Sequence, residues 1–474
     1  MVYVSVSQSV LRQSEPIHAG RAALIGGLAL YAILTAAEFT GFGPIALGEL
    51  RVPVCLGMAF GPIALYLLLR HPMIFPFGAY LFTIPIDVIL QNTSGATIAR
   101  IIAIAAAGVL GMHILARREV RLPGRAWYWW LGLVTWAGFS FIWTINAAGS
   151  LLMFLTILQL FLMLTILALY PVTHADLKAV MVLIVGSGIF AAIYGLVGFY
   201  SGRVATYAYS RLTLRTDSGL AVDPNDFATS FVLPIALAMA ALSTSRNFAV
   251  KMLAGASIIL MMVGILLTGS RGGLMAAMLV LIYYIVRMRQ RILTVGLAVA
   301  VLALSALFPA VWIRFATDDG AQGSGTGRTF IWATGLRDFR DHFFTGSGIG
   351  TYADVYNKNF FNVYQTVFQG WSRPGHSILV STLVELGVVG LVLILGAWFM
   401  TFRELRAVPA RSSFYTMRIA LEAAMLALFY EALTIDTLYL KYYWLAFSLV
   451  LMVTAAARKE QSDAAYDLHV SAAE

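Results

Sequence analysis

The sequence predicts an all-α polytopic membrane protein with about 12–14 transmembrane helices. Three observations carry that prediction. First, 60% of the 474 residues are hydrophobic and only 12% are charged, with a mean hydropathy of +0.82; a soluble chain of this length needs a larger polar surface. Second, many apolar runs reach the ~18–20 residues that cross a bilayer as helix. They are continuous rather than alternating at period two, which excludes a barrel. Third, Lys and Arg alternate between successive loops, as the sidedness of membrane insertion requires.

In chain order the candidate spans lie near 22–40, 52–69, 73–90, 98–116, 127–143, 150–170, 179–200, 226–242, 252–267, 272–286, 294–311, 377–401, 416–434 and 439–457. Residues 1–21 form a cytoplasmic segment with no basic start leading into an apolar core, so the first span serves as the insertion signal rather than as a cleaved peptide. One set of loops carries Arg117, Arg118, Arg121 and Arg125, then Lys178, Arg246 and Lys251, Arg287, Arg289 and Arg291, and finally Arg403, Arg406, Arg411 and Arg418. The alternating loops 91–97, 144–149 and 435–438 carry none. Both termini are therefore expected in the cytoplasm, with a transmembrane domain over 22–457 and a polar, unstructured tail over 458–474. Two longer connections, 201–225 and 312–376, fall on the outer side with the turn 268–273. The net charge of +9 thus reports sidedness, not nucleic-acid affinity. The single cysteine, Cys55, permits no intrachain disulfide.

An outer face should be poor in arginine, yet this one holds Arg203, Arg211 and Arg215, then Arg271, then Arg314, Arg328, Arg337, Arg340 and Arg373. Guanidinium forks grip phosphate, so the set points to an anionic, membrane-bound ligand such as a lipid diphosphate. The competing explanation for any one loop arginine is headgroup anchoring. Arg271 is the hardest to explain so, because GSRGG places it between two apolar runs at a helix start, where free N–H groups add positive potential. Arg215 precedes TDSGLAVDPNDFA, in which Asp223 and Asn225 can cap a helix starting near Asp226.

His376 follows Pro374 and Gly375 at the head of a long apolar helix and faces the outer surface, where an imidazole can accept a proton or merely anchor the helix. Glu385, nine positions on, lies on nearly the opposite helix face; with Ser377 and Ser381 it forms a stripe suited to joining a neighbouring helix. Asp87, Arg100, Glu422, Glu431 and Asp436 are intramembrane charges that either line a proton or substrate path or pair with one another. In the large loop, Trp332, Leu336, Phe339 and Phe343 follow an amphipathic helical period. The aromatic stretch YADVYNKNFFNVYQTVFQGW suits sugar stacking or a headgroup interface. GSGIG at 346–350 lacks the strand–helix frame of a nucleotide site, and no Walker lysine or D-x-D pair is present.

Taken in order, LLTGSRGGLMAAML (266–279), GSGIGTY (346–352) and HSILVSTLVELGVVGLVLIL (376–395), with DPNDFA (223–228), resemble motifs of the O-antigen ligase and O-antigen polymerase superfamily of bacterial inner-membrane glycosyltransferases. The resemblance implies a C-type glycosyltransferase fold with one large periplasmic loop, acting without cofactor or metal on an undecaprenyl-diphosphate-linked glycan. His376 matches the family's catalytic histidine and Arg271 its diphosphate-binding arginine. Arg215 matches a second such arginine less cleanly, and Arg211 in the same loop is grouped with it. The acceptor would be lipid A core for a ligase, or a growing polysaccharide for a polymerase of O-antigen or exopolysaccharide; protein O-glycosylation is a variant. A polysaccharide-lipid transporter or flippase is the alternative of another class, although the polar residues crowd one face rather than the midplane.

Overall fold

The computed structural model describes residues 51–87, 98–117, 123–202, 206–207, 211–214, 222–287, 291–308, 312, 327–363 and 372–473. The expected span at 22–40 and the candidate Arg215 lie outside the described residues. The chain divides after His71. Before that point the described element is helix α1 (Arg51–Arg70), with Pro62 inside it and Phe60, Ile63, Leu65 and Leu69 exposed.

From Pro72 onward the described helices are α2 (Phe77–Thr83), α3 (Ile98–Arg117), α4 (Arg125–Phe139), α5 (Ala147–Leu169), α6 (His174–Tyr200), α7 (Pro224–Thr229), α8 (Val232–Thr244), α9 (Phe248–Thr268), α10 (Arg271–Arg287), α11 (Arg291–Ser305), α12 (Arg328–Gly335), α13 (Tyr352–Val363), α14 (Ile378–Arg406), α15 (Tyr415–Ala432) and α16 (Lys441–Ala473). A minimal antiparallel ladder, β1 (Thr206–Tyr207) with β2 (Arg211–Leu212), lies between α6 and α7. Among the described residues six stretches are long and apolar enough to cross a membrane: Ile98–Arg117, Ala147–Leu169, His174–Tyr200, Pro224–Thr244, Phe248–Thr268 and Ile378–Arg406. The protein is an all-α polytopic membrane protein.

Several expected elements differ, each for a local reason. Of the span expected at 73–90, the described part, 73–87, is broken near Pro72, Pro76 and Pro85 into α2 and a 3₁₀ turn over Ile84–Ile86. The tail expected to be unstructured instead continues α16 to Ala473. It contains no Gly or Pro and four of its 17 residues are Ala, so helix propensity carries it on past the apolar part. The amphipathic helix expected through Phe343 stops at Gly335, and residues 336–345 close as successive turns.

Apolar side chains fill the interior of the bundle and also cover much of its outside. Ile101, Ile104 and Leu115 of α3, Val182 and Val197 of α6, and Met252 and Leu253 of α9 are exposed, whereas the Pro224–Thr244 stretch is almost wholly buried. It packs against α6, α9, α10 and α15 through Ala236, Ala238 and Ala240, whose small side chains allow close helix approach. Two of the charges expected within the membrane pair: Glu422 Oε1 accepts from Arg418 Nε at 2.9 Å, and Asp87 bonds Lys441.

The connections sort by charge. Glu404 at the end of α14 accepts from Ala126 N at 2.9 Å at the start of α4, Ser413 N donates to Glu460 Oε1 at 3.1 Å, and the His174 and Phe414 rings meet at 5.2 Å. The segments around 124–126, 174 and 404–414 therefore share one end. At the other end Ile145 N donates to Ser347 O at 3.1 Å and Asn146 Nδ2 to Asp354 Oδ2 at 3.0 Å. The loops poor in basic residues meet the large loop there.

One break organises that second end. Gly387 interrupts α14 with φ 67°. Three carbonyls beside the break are satisfied by other elements: Val384 O by Ser347 N at 2.9 Å, Glu385 O by Gly348 N at 2.9 Å, and Leu386 O by Trp136 Nε1 at 2.9 Å. Val388 N in turn donates to Phe343 O at 2.9 Å. Irregular backbone at membrane depth persists when protein groups satisfy it. The approach is so close that a Cβ on Gly387 would lie 2.3 Å from Phe344 O, and one on Gly346 would lie 2.3 Å from Glu385 C. Gly387→Ala should therefore cost about 3 kcal/mol through left-handed strain plus overpacking. Thermal unfolding of the purified variant measures this, and an unchanged midpoint would contradict the contact.

Candidate functional site

The turn between α9 and α10 is built by its own hydroxyls. Thr268 Oγ1 donates to Ile265 O at 2.6 Å, and Ser270 Oγ accepts from Gly273 N at 3.1 Å as a cap on the first turn of α10. Arg271 is thereby the first residue of α10, half-buried, at the positive end of the helix dipole. Arg211 reaches the same turn from β2. Its buried guanidinium donates from Nε to Thr268 O at 2.7 Å and from Nη2 to Asn225 Oδ1 at 3.1 Å. Asn225 is held by Asp223 Oδ1, which accepts from its N and Nδ2 at 2.8 Å each, while Asp223 caps α7. Arg211 therefore pins its ladder to the Arg271 turn, in addition to supplying charge.

His376 sits one residue before Ser377, the N-cap of α14, in the left-handed region at φ 46°. A non-glycine residue is held there only by firm surroundings. Trp332 supplies part of them: its Nε1 donates to Gly375 O at 2.6 Å. Arg328 stands four residues before Trp332 on α12, one turn away on the same face, so docking Trp332 on Gly375 carries Arg328 towards His376. The imidazole pKa is pulled below its ordinary value, first by burial and then by the Arg328 and Arg373 charges, against the opposing pull of Asp223. The Arg328 charge also acts on Tyr430 and on Glu431 at the end of α15. Glu431 in turn lies against the Arg271 turn, since a Cβ on Gly272 would be 3.2 Å from its Oε2. Arg211, the Arg271 turn and Glu431 thus form a series in contact, and the Arg328 charge acts on both Glu431 and His376. Beside it lies a cavity of about 250 Å³ lined by Asp87, Asp223, Asp226, Tyr439, Lys441 and Tyr442. Asp223 both lines this cavity and acts on His376.

Glu385 is outside this series and has another task. Its buried Oε1 accepts from Tyr352 N at 3.2 Å and its Oε2 from Tyr439 Oη at 2.9 Å. It ties the glycine loop and the segment after α15 to α14, as the sequence stripe indicated. Glu385→Leu leaves both donors unpaired and should lower stability by about 2–4 kcal/mol, while activity per folded molecule stays near wild type. Unfolding midpoints and titrated active fractions separate the two.

Arg328, Glu431 and Asp226 gain a place here that the sequence did not give them. Arg328 looked like one of five loop arginines; the signal was its four-residue spacing to Trp332. Asp223 and Asn225 were legible as caps, and they also brace Arg211. Among the described residues, no group of three or more His, Cys, Asp or Glu is arranged to hold a metal ion.

These features define a polytopic helical membrane protein with a buried polar region, rich in arginine and carrying one histidine, at the end away from its basic connections. Residues 256–395 match the family model described as O-antigen ligase. The match covers under a third of the chain, contains Arg271, Arg328, Glu385 and His376, and leaves Arg211 outside. No curated protein matches.

Proposed function

We propose that the protein is a membrane glycosyltransferase of the O-antigen ligase kind, moving a glycan from an undecaprenyl-diphosphate carrier to an acceptor hydroxyl at the periplasmic face of a bacterial inner membrane. The observation that carries this reading is the shared neighbourhood of the arginine turn and the histidine: Arg328 acts on both His376 and Glu431, and Glu431 packs beside Gly272, the residue after Arg271. The family match spans both motifs.

In this reading the acceptor oxygen attacks the anomeric carbon from the face opposite the carrier, with inversion. The bond from that carbon to the diphosphate oxygen breaks, and the bonding pair leaves with undecaprenyl diphosphate. The acceptor proton passes to His376, which must be neutral to take it. Negative charge grows on the departing diphosphate, where Arg271 stabilises it in a low-dielectric site. Arg211 holds the turn and adds charge behind it. Arg215, in the same connection, is a further diphosphate ligand. Arginine supplies the charge compensation that a metal gives other transferases, so the step is drawn without one.

The test is purified protein with a defined undecaprenyl-diphosphate glycan and, in separate reactions, lipid A core, a second carrier-linked glycan, or no acceptor. A covalent product with equimolar undecaprenyl diphosphate is expected. Product with lipid A core alone makes it a ligase. Product with carrier-linked glycan alone makes it a polymerase of O-antigen or exopolysaccharide, with the same donor chemistry. Movement of intact donor across proteoliposomes with no new bond overturns the proposal in favour of a transporter.

A further inference from the structure

A second recess lies at the end where the basic connections gather. It has a volume of about 600 Å³ and is walled by α6, α8, α9 and the start of α15. Here α8, buried elsewhere, is reached from outside, with Leu237, Ala238, Ala241 and Thr244 in the recess wall. The walls change character along their length. His174, Lys178, Ser413, Thr416 and Thr244 mark one end; Val185, Ile189 and Leu237 mark the other. From Lys178 to Ile189 along α6 is about 16 Å at the helical rise, close to one leaflet of a hydrocarbon core about 30 Å thick. Val182 and Leu253, at its lips, are exposed.

We infer that this recess holds one acyl chain of an anionic phospholipid of the surrounding leaflet, its headgroup phosphate at the Lys178 mouth. Charge argues for the headgroup. Lys178 is exposed at the mouth, Arg246 stands on the connection between α8 and α9, two of the recess's own walls, and Lys251 lies in the first turn of α9. Asp176 is turned aside, since its Oδ2 accepts from Thr173 N at 3.0 Å and Oγ1 at 2.7 Å in the capping box of α6. Shape argues for a single chain: the recess is a slot one leaflet deep, not a flat face. This site is separate from the Arg271–His376 region and does not depend on the reaction assigned to it.

The test is native mass spectrometry of the full-length protein released from nanodiscs of phosphatidylglycerol and phosphatidylcholine in equal parts. Wild type should retain phosphatidylglycerol preferentially. Lys178→Gln should weaken that retention about fivefold, the effect of one basic residue near an anionic headgroup. Ala241→Phe, which fills the slot, should release lipid of both kinds; Lys178 is exposed, so the first variant stays informative if the second does not fold. Equal retention of the two lipids by wild type, or unchanged phosphatidylglycerol retention in Lys178→Gln, overturns the proposal. So does a dimer mass that replaces bound lipid, which would make a second copy the occupant.

Discussion

Replacing His376 with alanine is expected to lower the rate of glycan transfer by about 10²–10⁴-fold, the usual contribution of a positioned general base, while leaving binding of the lipid-linked donor nearly unchanged. Single-turnover release of undecaprenyl diphosphate, read beside donor retention on the purified protein, separates the two. A fall in donor binding with chemistry intact would give His376 an anchoring role instead. The pH profile adds a sign. The imidazole acts in its neutral form, and burial with Arg328 and Arg373 holds its pKa below the ordinary value of about 6.5. The acidic limb of the rate profile should therefore lie below that value, with a flat rate through neutral pH. Arg328→Gln removes a charge that disfavours the imidazolium, so it should move that limb to higher pH. Asp223→Asn removes the opposing charge and should move it lower.

The second large effect belongs to Arg271. Arg271→Ala should reduce transfer by about 10²–10³-fold, comparable to losing one preorganised donor to a developing oxyanion. Arg271→Lys should recover little of this, because an ammonium keeps the charge but loses the planar two-point grip on phosphate. The turn that carries Arg271 is held by Thr268 and Ser270 hydroxyls, so both variants should remain folded. Thermal midpoints near wild type are the control. Full activity in the lysine variant would remove bidentate phosphate binding from the account.

The parts of this fold that were legible in the sequence are those set by local pattern. Apolar run length placed most of α3 to α10 and α14 to α16, and the GSRGG stretch between two apolar runs placed Arg271 at a helix start. The loop charges predicted which connections meet at which end, and the bonds of Glu404, Glu460 and Asn146 follow that division. What was not legible depends on partners far apart in the chain. The break at Gly387 reads as ordinary helix until Phe343, Ser347 and Gly348 arrive to satisfy its backbone. Glu385 finds Tyr352 and Tyr439, and the Arg328 charge acts on His376 from a helix that Trp332 docks on Gly375. The tail was misjudged for a different reason: polarity was read as disorder, while helix propensity without Gly or Pro was the stronger term.

The central claim is spatial, and a structure with the donor bound tests it most directly. Cryo-electron microscopy of the protein with an undecaprenyl-diphosphate glycan should place the diphosphate within hydrogen-bond reach of Arg271, with the sugar's anomeric carbon between it and the His376 imidazole. A diphosphate bound at the end of the basic connections, or one that contacts Arg271 while His376 faces away from the sugar, would contradict the account.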